Sequence, residues 1–215
     1  MQLPESVNAL AGMAARLERF SPRRSADRHQ RKRSAVVMLL RETASGDVEI
    51  LMIERAQRRG DPWSGHMGFP GGRLDPGDAH SYAAAARECV EEIGLDVATC
   101  GQFLGRLSDL ATHLRSGSSA MLVTPYVFAL TELPPLSPNH EVADILWVPL
   151  SFLASAQHRQ SMPWQYDGME VALPCYTFAQ RRIWGLSLGM LDELLRVVGL
   201  AEFAPVVPEL PRSSD

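Results

Sequence analysis

The chain has 215 residues, 46% apolar and 21% charged, with a formal net charge of −4 at pH 7. That is the composition of a soluble globular protein long enough to bury one sizeable core, and no apolar run approaches the ~20 residues of a membrane-spanning helix. The negative balance gives no general attraction to nucleic acid, and a single lysine, Lys32, argues against both a P-loop and a Schiff-base enzyme.

From the N-terminus, Val7, Leu10, Met13, Ala14 and Leu17 recur at helical spacing with Pro4 near the start, predicting an amphipathic helix from about Pro4 to Phe20. No basic start leads into an unbroken apolar core, so a secretory leader is not expected, and Glu5, Glu18 and Asp27 argue against a transit peptide. Arg16, Arg19, Arg23, Arg24, Arg28, Arg31, Lys32 and Arg33 follow. Such a run reads as a solvated arm, with a lipid- or polyanion-binding patch as the minority alternative. Ser34 to Arg41 and Val48 to Glu54 are apolar runs joined by the turn-forming Thr43 to Asp47, which predicts a β-hairpin. Arg58 to His66 is a loop rich in turn residues, and Trp63 within it is either a stacking surface for a nucleobase or loop packing.

Asp78 is the expected N-cap of a helix from about Ala79 to Ile93, closed by Gly94. Gln102 to Leu107 and Met121 to Leu130 read as strands. The linker between them, Ser108 to Ala120 with His113 and Arg115, is expected to be mobile and to lie over a pocket. Ile145 to Val148 is a further short strand, with a short helix near Leu150 to Ala156. Val171 to Tyr176, interrupted by Pro174, reads as a weak or edge strand. Ile183, Leu186, Leu188, Met190, Leu191, Leu194, Leu195 and Val198 predict an amphipathic final helix, and the Pro-rich tail after Phe203 is expected to be poorly packed. Cys89, Cys100 and Cys175 are far apart with no CxxC spacing, against a disulfide scaffold or structural zinc and in keeping with a reducing, cytoplasmic compartment.

The chemistry concentrates between Phe69 and Leu95. On a helix Glu88 and Glu92 are one turn apart and Glu91 is three residues from Glu88, which groups three acids on one face. Their repulsion becomes binding energy if a divalent cation lies among them. Gly72, Asp78 and the run from Arg87 to Leu95 (RECVEEIGL) resemble the Nudix box, G-x5-E-x7-R-E-U-x-E-E-x-G-U, where U is aliphatic. Cys89 takes the first U, Asp78 replaces the first Glu, and eight residues instead of seven precede Arg87. That spacing is similar to the branch that looks like coenzyme A pyrophosphatases. Glu141 to Leu150 (EVADILWVPL) is similar to the E-V-x4-W-V-P-L run of many Nudix enzymes, and Ile183 to Ser187 resembles the I-W-G-L-T opening of that branch's last helix. Arg55, Ala56, Gly65 and Phe69 to Gly72 align with its upstream signature, while the second Arg of that signature falls on Gly60 or Asp61 and leaves Arg58 or Arg59 to replace it.

The resemblance implies an α/β fold, an α/β/α sandwich around a central mixed β-sheet. It divides the chain into an N-terminal helix and basic arm (1–33), a Nudix hydrolase domain (34–200) and a Pro-rich tail (201–215). It implies Mg²⁺ or Mn²⁺ held by Glu88 and Glu92, with Glu91 alongside and the carbonyl of Gly72 closing the site, and Arg87 paired with a helix carboxylate. The general base is left open between Glu88 and Glu141; His66, His113 and His140 are weaker candidates. Arg55, Trp63, Phe69 and Arg115 are the expected substrate contacts. The implied reaction is hydrolysis of the pyrophosphate in a nucleoside diphosphate linked to another group, with coenzyme A or its derivatives leading. ADP-ribose, dinucleotide polyphosphates, oxidised nucleotides or a non-catalytic nucleotide sensor are the alternatives. The partner expected is a small nucleotide, with no nucleic acid, no membrane span and a homodimer left open.

Overall fold

A computed structural model describes residues 9–61, 63–112, 121–166 and 169–201. Helix α1 (Ala9–Arg19) precedes the hairpin of β1 (Arg33–Glu42) and β2 (Val48–Arg55), then the short strands β3 (Met67–Gly68) and β4 (Gly71–Arg73). Helices α2 (Ser81–Ile93) and α3 (Val97–Cys100) follow, then β5 (Gly101–Arg106), β6 (Leu110–Ala111), β7 (Leu122–Leu130) and β8 (Val142–Pro149). The remainder is α4 (Leu150–Ala154), a 3₁₀ turn (Ala156–His158), β9 (Gln160–Tyr166), β10 (Met169–Phe178), β11 (Arg181–Trp184) and α5 (Gly185–Val197).

The first eight strands make one mixed sheet with the path β3-β2-β1-β7-β5; β4 also pairs with β1, β6 with β7 and β8 with β2. β1 and β7 are parallel and the other pairs antiparallel. β1 is buried on both faces, which is why it reads as an unbroken apolar run. Its period-two alternation sends Ala35, Val37 and Leu39 to a core shared with Ala85, Cys89 and Ile93 of α2. Val36, Met38 and Leu40 face a second core with Met13 and Leu17 of α1, Leu150 and Leu153 of α4, and Leu191, Leu194 and Leu195 of α5. Helices cover both sides of a central mixed sheet, as the sandwich expectation requires.

Several boundaries differ. The helix of the acids begins at Ser81, and His80, not Asp78, is its N-cap, its imidazole accepting the Ala83 N–H at 3.1 Å. Asp78 is drawn away to accept the Asp75 N–H and two bonds from Arg87. β10 is the middle of a second, three-stranded sheet, β11-β10-β9, instead of an edge. Pro174 is tolerated there because β11 reaches only Cys175 to Phe178, leaving β9 as its single neighbour. Ile183 and Trp184 belong to β11, so the last helix starts after them at Gly185. The basic segment is tied to the body: Arg23 N–H donates to Ser108, Ser25 N–H to Asp109, and Arg28 lies 3.8 Å from that same buried carboxylate. Residues 1–8, His113, Arg115 and the Pro-rich tail lie outside the described residues. Among the described residues no helix is long and apolar enough to cross a membrane.

Candidate active site

The site is built where β4 meets α2. At Gly71, with φ of 151°, a Cβ would stand 2.2 Å from the Ala35 carbonyl oxygen, so only glycine lets β4 lie against β1. At Gly72 a Cβ would fall 2.1 Å from Glu88 Oε1, because the Glu88 carboxylate fills the space a side chain would take. Glu92 is 2% exposed and accepts the Gly71 N–H at 2.8 Å. Two adjacent glycines thus receive two carboxylates that stand one helical turn apart.

Glu141 reaches the same place through the segment before β8. Ser137 N–H donates to Ile93 O and Asn139 N–H to Glu92 O, which docks this segment on the end of α2. Asn139 Oδ1 accepts the Glu141 N–H at 2.7 Å, and the Glu141 carbonyl accepts the Ala56 N–H. Burial drives the electrostatics. It pushes the Glu92 carboxyl up to about 7; the Gly71 N–H opposes the shift, and repulsion from Glu88 and Glu141 adds to it. The Glu88 carboxyl is also raised, by burial first, against the pull of Arg87.

Two arginine groups frame these acids. The Arg87 guanidinium donates to Asp78, to Glu91 at 3.1 Å and to the Arg73 carbonyl, and lies 3.1 Å from Glu88. Held chiefly by Asp78, it stays protonated well beyond its ordinary range. On the other side Arg58 pairs with Glu141 at 3.1 Å and Arg55 with Asp61 at 2.9 Å, while Arg55 Nε is buried with no hydrogen-bond partner.

Glu88, Glu92 and Glu141 are therefore neighbours, and Arg55 stands within electrostatic reach of Glu92. Glu91 acts on Glu88 as well and shares an Arg87 nitrogen with it, but its side chain is 52% exposed, on the solvent side of the buried Glu92. The Gly72 carbonyl, expected to close a metal site, accepts the Ser34 hydroxyl at 2.6 Å through one of its two lone pairs, and the missing side chain of Gly72 makes room for the Glu88 carboxylate. Phe69, expected to touch substrate, is 5% exposed and packs in the core. Trp63 is half-buried with its N–H bonded to Asp61. Arg115 lies outside the described residues. Asp61 and Asn139 are not among the sequence-derived candidates; a turn residue beside Pro62 and an Asn in a loop carry no sequence signal of such roles.

Among the described residues no three carboxylates, imidazoles or thiolates already converge as a metal cage. The donor chemistry nevertheless fits a hard divalent cation. Glu88 and Glu92 would supply oxygen ligands, both carboxylates are partly desolvated, and a cationic nitrogen of Arg87 already lies 3.1 Å from both Glu88 and Glu91.

The model of the NUDIX domain matches residues 30–165 of this chain. The chain belongs to the Nudix family. The match takes in Arg55, Gly71, Gly72, Glu88, Glu92 and Glu141, so all of the acids just described lie inside the Nudix domain. A mitochondrial Nudix hydrolase of Arabidopsis thaliana is 28% identical over 174 residues, 77% of this chain; the chain spans 58% of that protein's length. The mitochondrial coenzyme A diphosphatase of Mus musculus is 28% identical over 214 residues, 98% of this chain and 99% of that one. The crystal structure of a Nudix hydrolase from M. smegmatis overlaps 58% of this chain and 74% of that one with a TM-score of 0.47 and 22% identity.

Proposed function

We propose that this Nudix chain hydrolyses the pyrophosphate linkage of a nucleoside diphosphate joined to a second group, with coenzyme A or a derivative as the leading substrate. The observation that carries this reading is the pair of Glu88 and Glu92, buried against the Gly71–Gly72 turn with the charge of Glu141 within reach of both. The choice of coenzyme A is supported by the name of the mouse relative, which aligns along nearly all of the chain.

Pyrophosphate resists hydrolysis because its anionic oxygens repel hydroxide. A bound Mg²⁺ or Mn²⁺ would neutralise those oxygens and acidify a water, and Glu88 and Glu92 are the residues to hold it. The chain's own groups do the rest. Glu141, half-buried and paired with Arg58, and Glu88 are the two candidates to accept the proton of the attacking water. Arg55, whose Nε has no hydrogen-bond partner, is the cation we assign to the phosphate oxygens. Arg87 holds the rotamer of Glu88 and is itself fixed by Asp78.

The test is a product-resolved screen with Mg²⁺ over coenzyme A, acyl-coenzyme A, ADP-ribose, dinucleotide polyphosphates and oxidised nucleotides. At least one compound releases a nucleoside monophosphate or its 3′-phosphorylated form, and Glu92→Gln abolishes that turnover while the chain still melts cooperatively. Binding without cleavage across the panel overturns the hydrolase reading in favour of a nucleotide sensor. Cytoplasmic residence is part of the same proposal, supported by three free cysteines. Cell fractionation tests it, and recovery from mitochondria, as the relatives' names would suggest, overturns it.

A further inference from the structure

The three-stranded sheet gathers aromatic rings that the acid site does not use. The rings of Trp164 on β9 and Trp184 on β11 lie 4.6 Å apart between centroids, and His66 meets Trp184 edge-on at 4.9 Å. Across the pairing, Trp184 stands opposite Cys175 and Trp164 opposite Val171. Period-two alternation therefore puts Met162, Trp164, Cys175 and Trp184 on one face. Exposure grows along it: Met162 and Cys175 are 6% and 2% exposed, whereas both indoles are only half-buried. Indoles serving as sheet core alone would be closed like those neighbours. These remain partly open, and Trp184 carries His66 at its edge.

His66 connects the rings to the cations of the site. Its carbonyl accepts the Arg55 N–H at 3.0 Å, and its own N–H donates back to Trp63 O, which holds the loop against the end of β2. The small sheet is fixed in the same place by Arg181, whose guanidinium donates to Glu54 and Asp144, residues that oppose each other on β2 and β8. The aromatic row therefore starts one bonded step from Arg55, and Arg55 stands beside the acids.

We propose that Trp164 and Trp184, with His66 at their edge, form the platform on which the nucleobase of the substrate stacks while Arg55 holds its phosphate side. This rests on the nucleotide-hydrolase reading above. A nucleobase presents a flat π-face with little charge to desolvate, which suits tilted indoles that offer stacking area in place of a hydrogen-bonding edge. The platform recognises the presence of a base more than its identity.

The direct test compares AMP with ribose 5-phosphate, which share a phosphate and ribose and differ by the base, in equilibrium titrations of the full chain. AMP binds about tenfold tighter, and Trp184→Leu and Trp164→Leu each reduce that preference severalfold while Trp184→Phe retains most of it. On whichever substrate the chain hydrolyses, the same Leu variants raise KM about tenfold with much smaller change in kcat. A second measurement does not depend on the Leu variants folding. With Trp63 and Trp147 replaced by Phe, Trp164 and Trp184 are the remaining tryptophans, and AMP quenches their fluorescence where ribose 5-phosphate does not. A preference for AMP that survives both Leu variants, or that vanishes with Trp63→Leu instead, overturns the platform. If AMP preference follows Trp164 and Trp184 but nothing in the nucleotide panel is cleaved, the hydrolase reading fails and the platform stands. If a nucleotide is cleaved but AMP binds no tighter than ribose 5-phosphate, the platform fails and the hydrolase reading stands.

Discussion

Glu92 shows how one residue can be both obvious and hidden. Its presence near Glu88 follows from charge spacing, but its burial follows from the stripe of Ser81, Ala85, Cys89 and Ile93 that faces the sheet, into which Glu92 falls. Glu91 lies about 100° further round the helix and points to solvent, so the periodicity that groups the acids also divides them. Asn139 and Ser34, which position Glu141 and Gly72, were illegible because their partners lie far away in sequence or in a loop without periodicity. The raised Glu92 carboxyl makes a pH prediction. Its value in the folded chain is about 7 against an ordinary 4.5, so the native state holds the proton more tightly than the unfolded state does. The metal-free chain is then most stable below the ordinary value and loses stability as pH rises from about 4.5 to about 7, by at most about 3 kcal/mol. Melting in chelator should fall by several degrees across that window, with Glu88 adding in the same direction, and Glu92→Gln should flatten the profile. A wild-type melting temperature that stays level from pH 5 to 7 contradicts the buried, uncompensated carboxylate.

At the scale of elements, β1 and β7 were legible as unbroken apolar runs bounded by turn residues, and the acid helix by its alanine run and the spacing of its acids. β9 and β11 were not. Pro163 and Pro174 mask the first hairpin, and the four residues of β11 continue the apolar spacing of the helix that follows, so pairing across the second sheet decides what local pattern leaves ambiguous. The turn between β10 and β11 is unusual in its residues. Ala179 and Gln180 have φ of 46° and 65°, left-handed values that a two-residue hairpin of the right twist demands and that Asn and Gly fill more easily. Strain of this kind costs about 1–2 kcal/mol per residue. Ala179→Asn with Gln180→Gly should therefore stabilise the chain by about 1–2 kcal/mol, read as a rise of roughly 3–6 °C in melting temperature. An unchanged or lower melting temperature would mean that the turn is not under this strain.

For the whole molecule, one mixed sheet carries two cores, and the residues of the candidate site collect where its β2, β4 and β8 ends meet α2. The layered architecture was legible from strand and helix periods together with the resemblance in the box. The course of the basic segment was not, since Asp109, the buried carboxylate that takes the Ser25 N–H, lies 84 residues away. Arg181 sets the second sheet against Glu54 and Asp144, and the His66 carbonyl on the loop that meets it accepts the Arg55 N–H. What the entire account rests on is that Glu88 and Glu92, now spread between Arg87 and Gly71, come together around a divalent ion. Titration of the full chain with Mn²⁺, followed by the loss of the free-ion paramagnetic resonance signal, measures this most directly. Saturable binding is expected in the wild type, weakened at least tenfold in Glu88→Gln/Glu92→Gln; a wild type that leaves Mn²⁺ free, or a double variant that binds it as tightly, would contradict a metal site built on these two carboxylates.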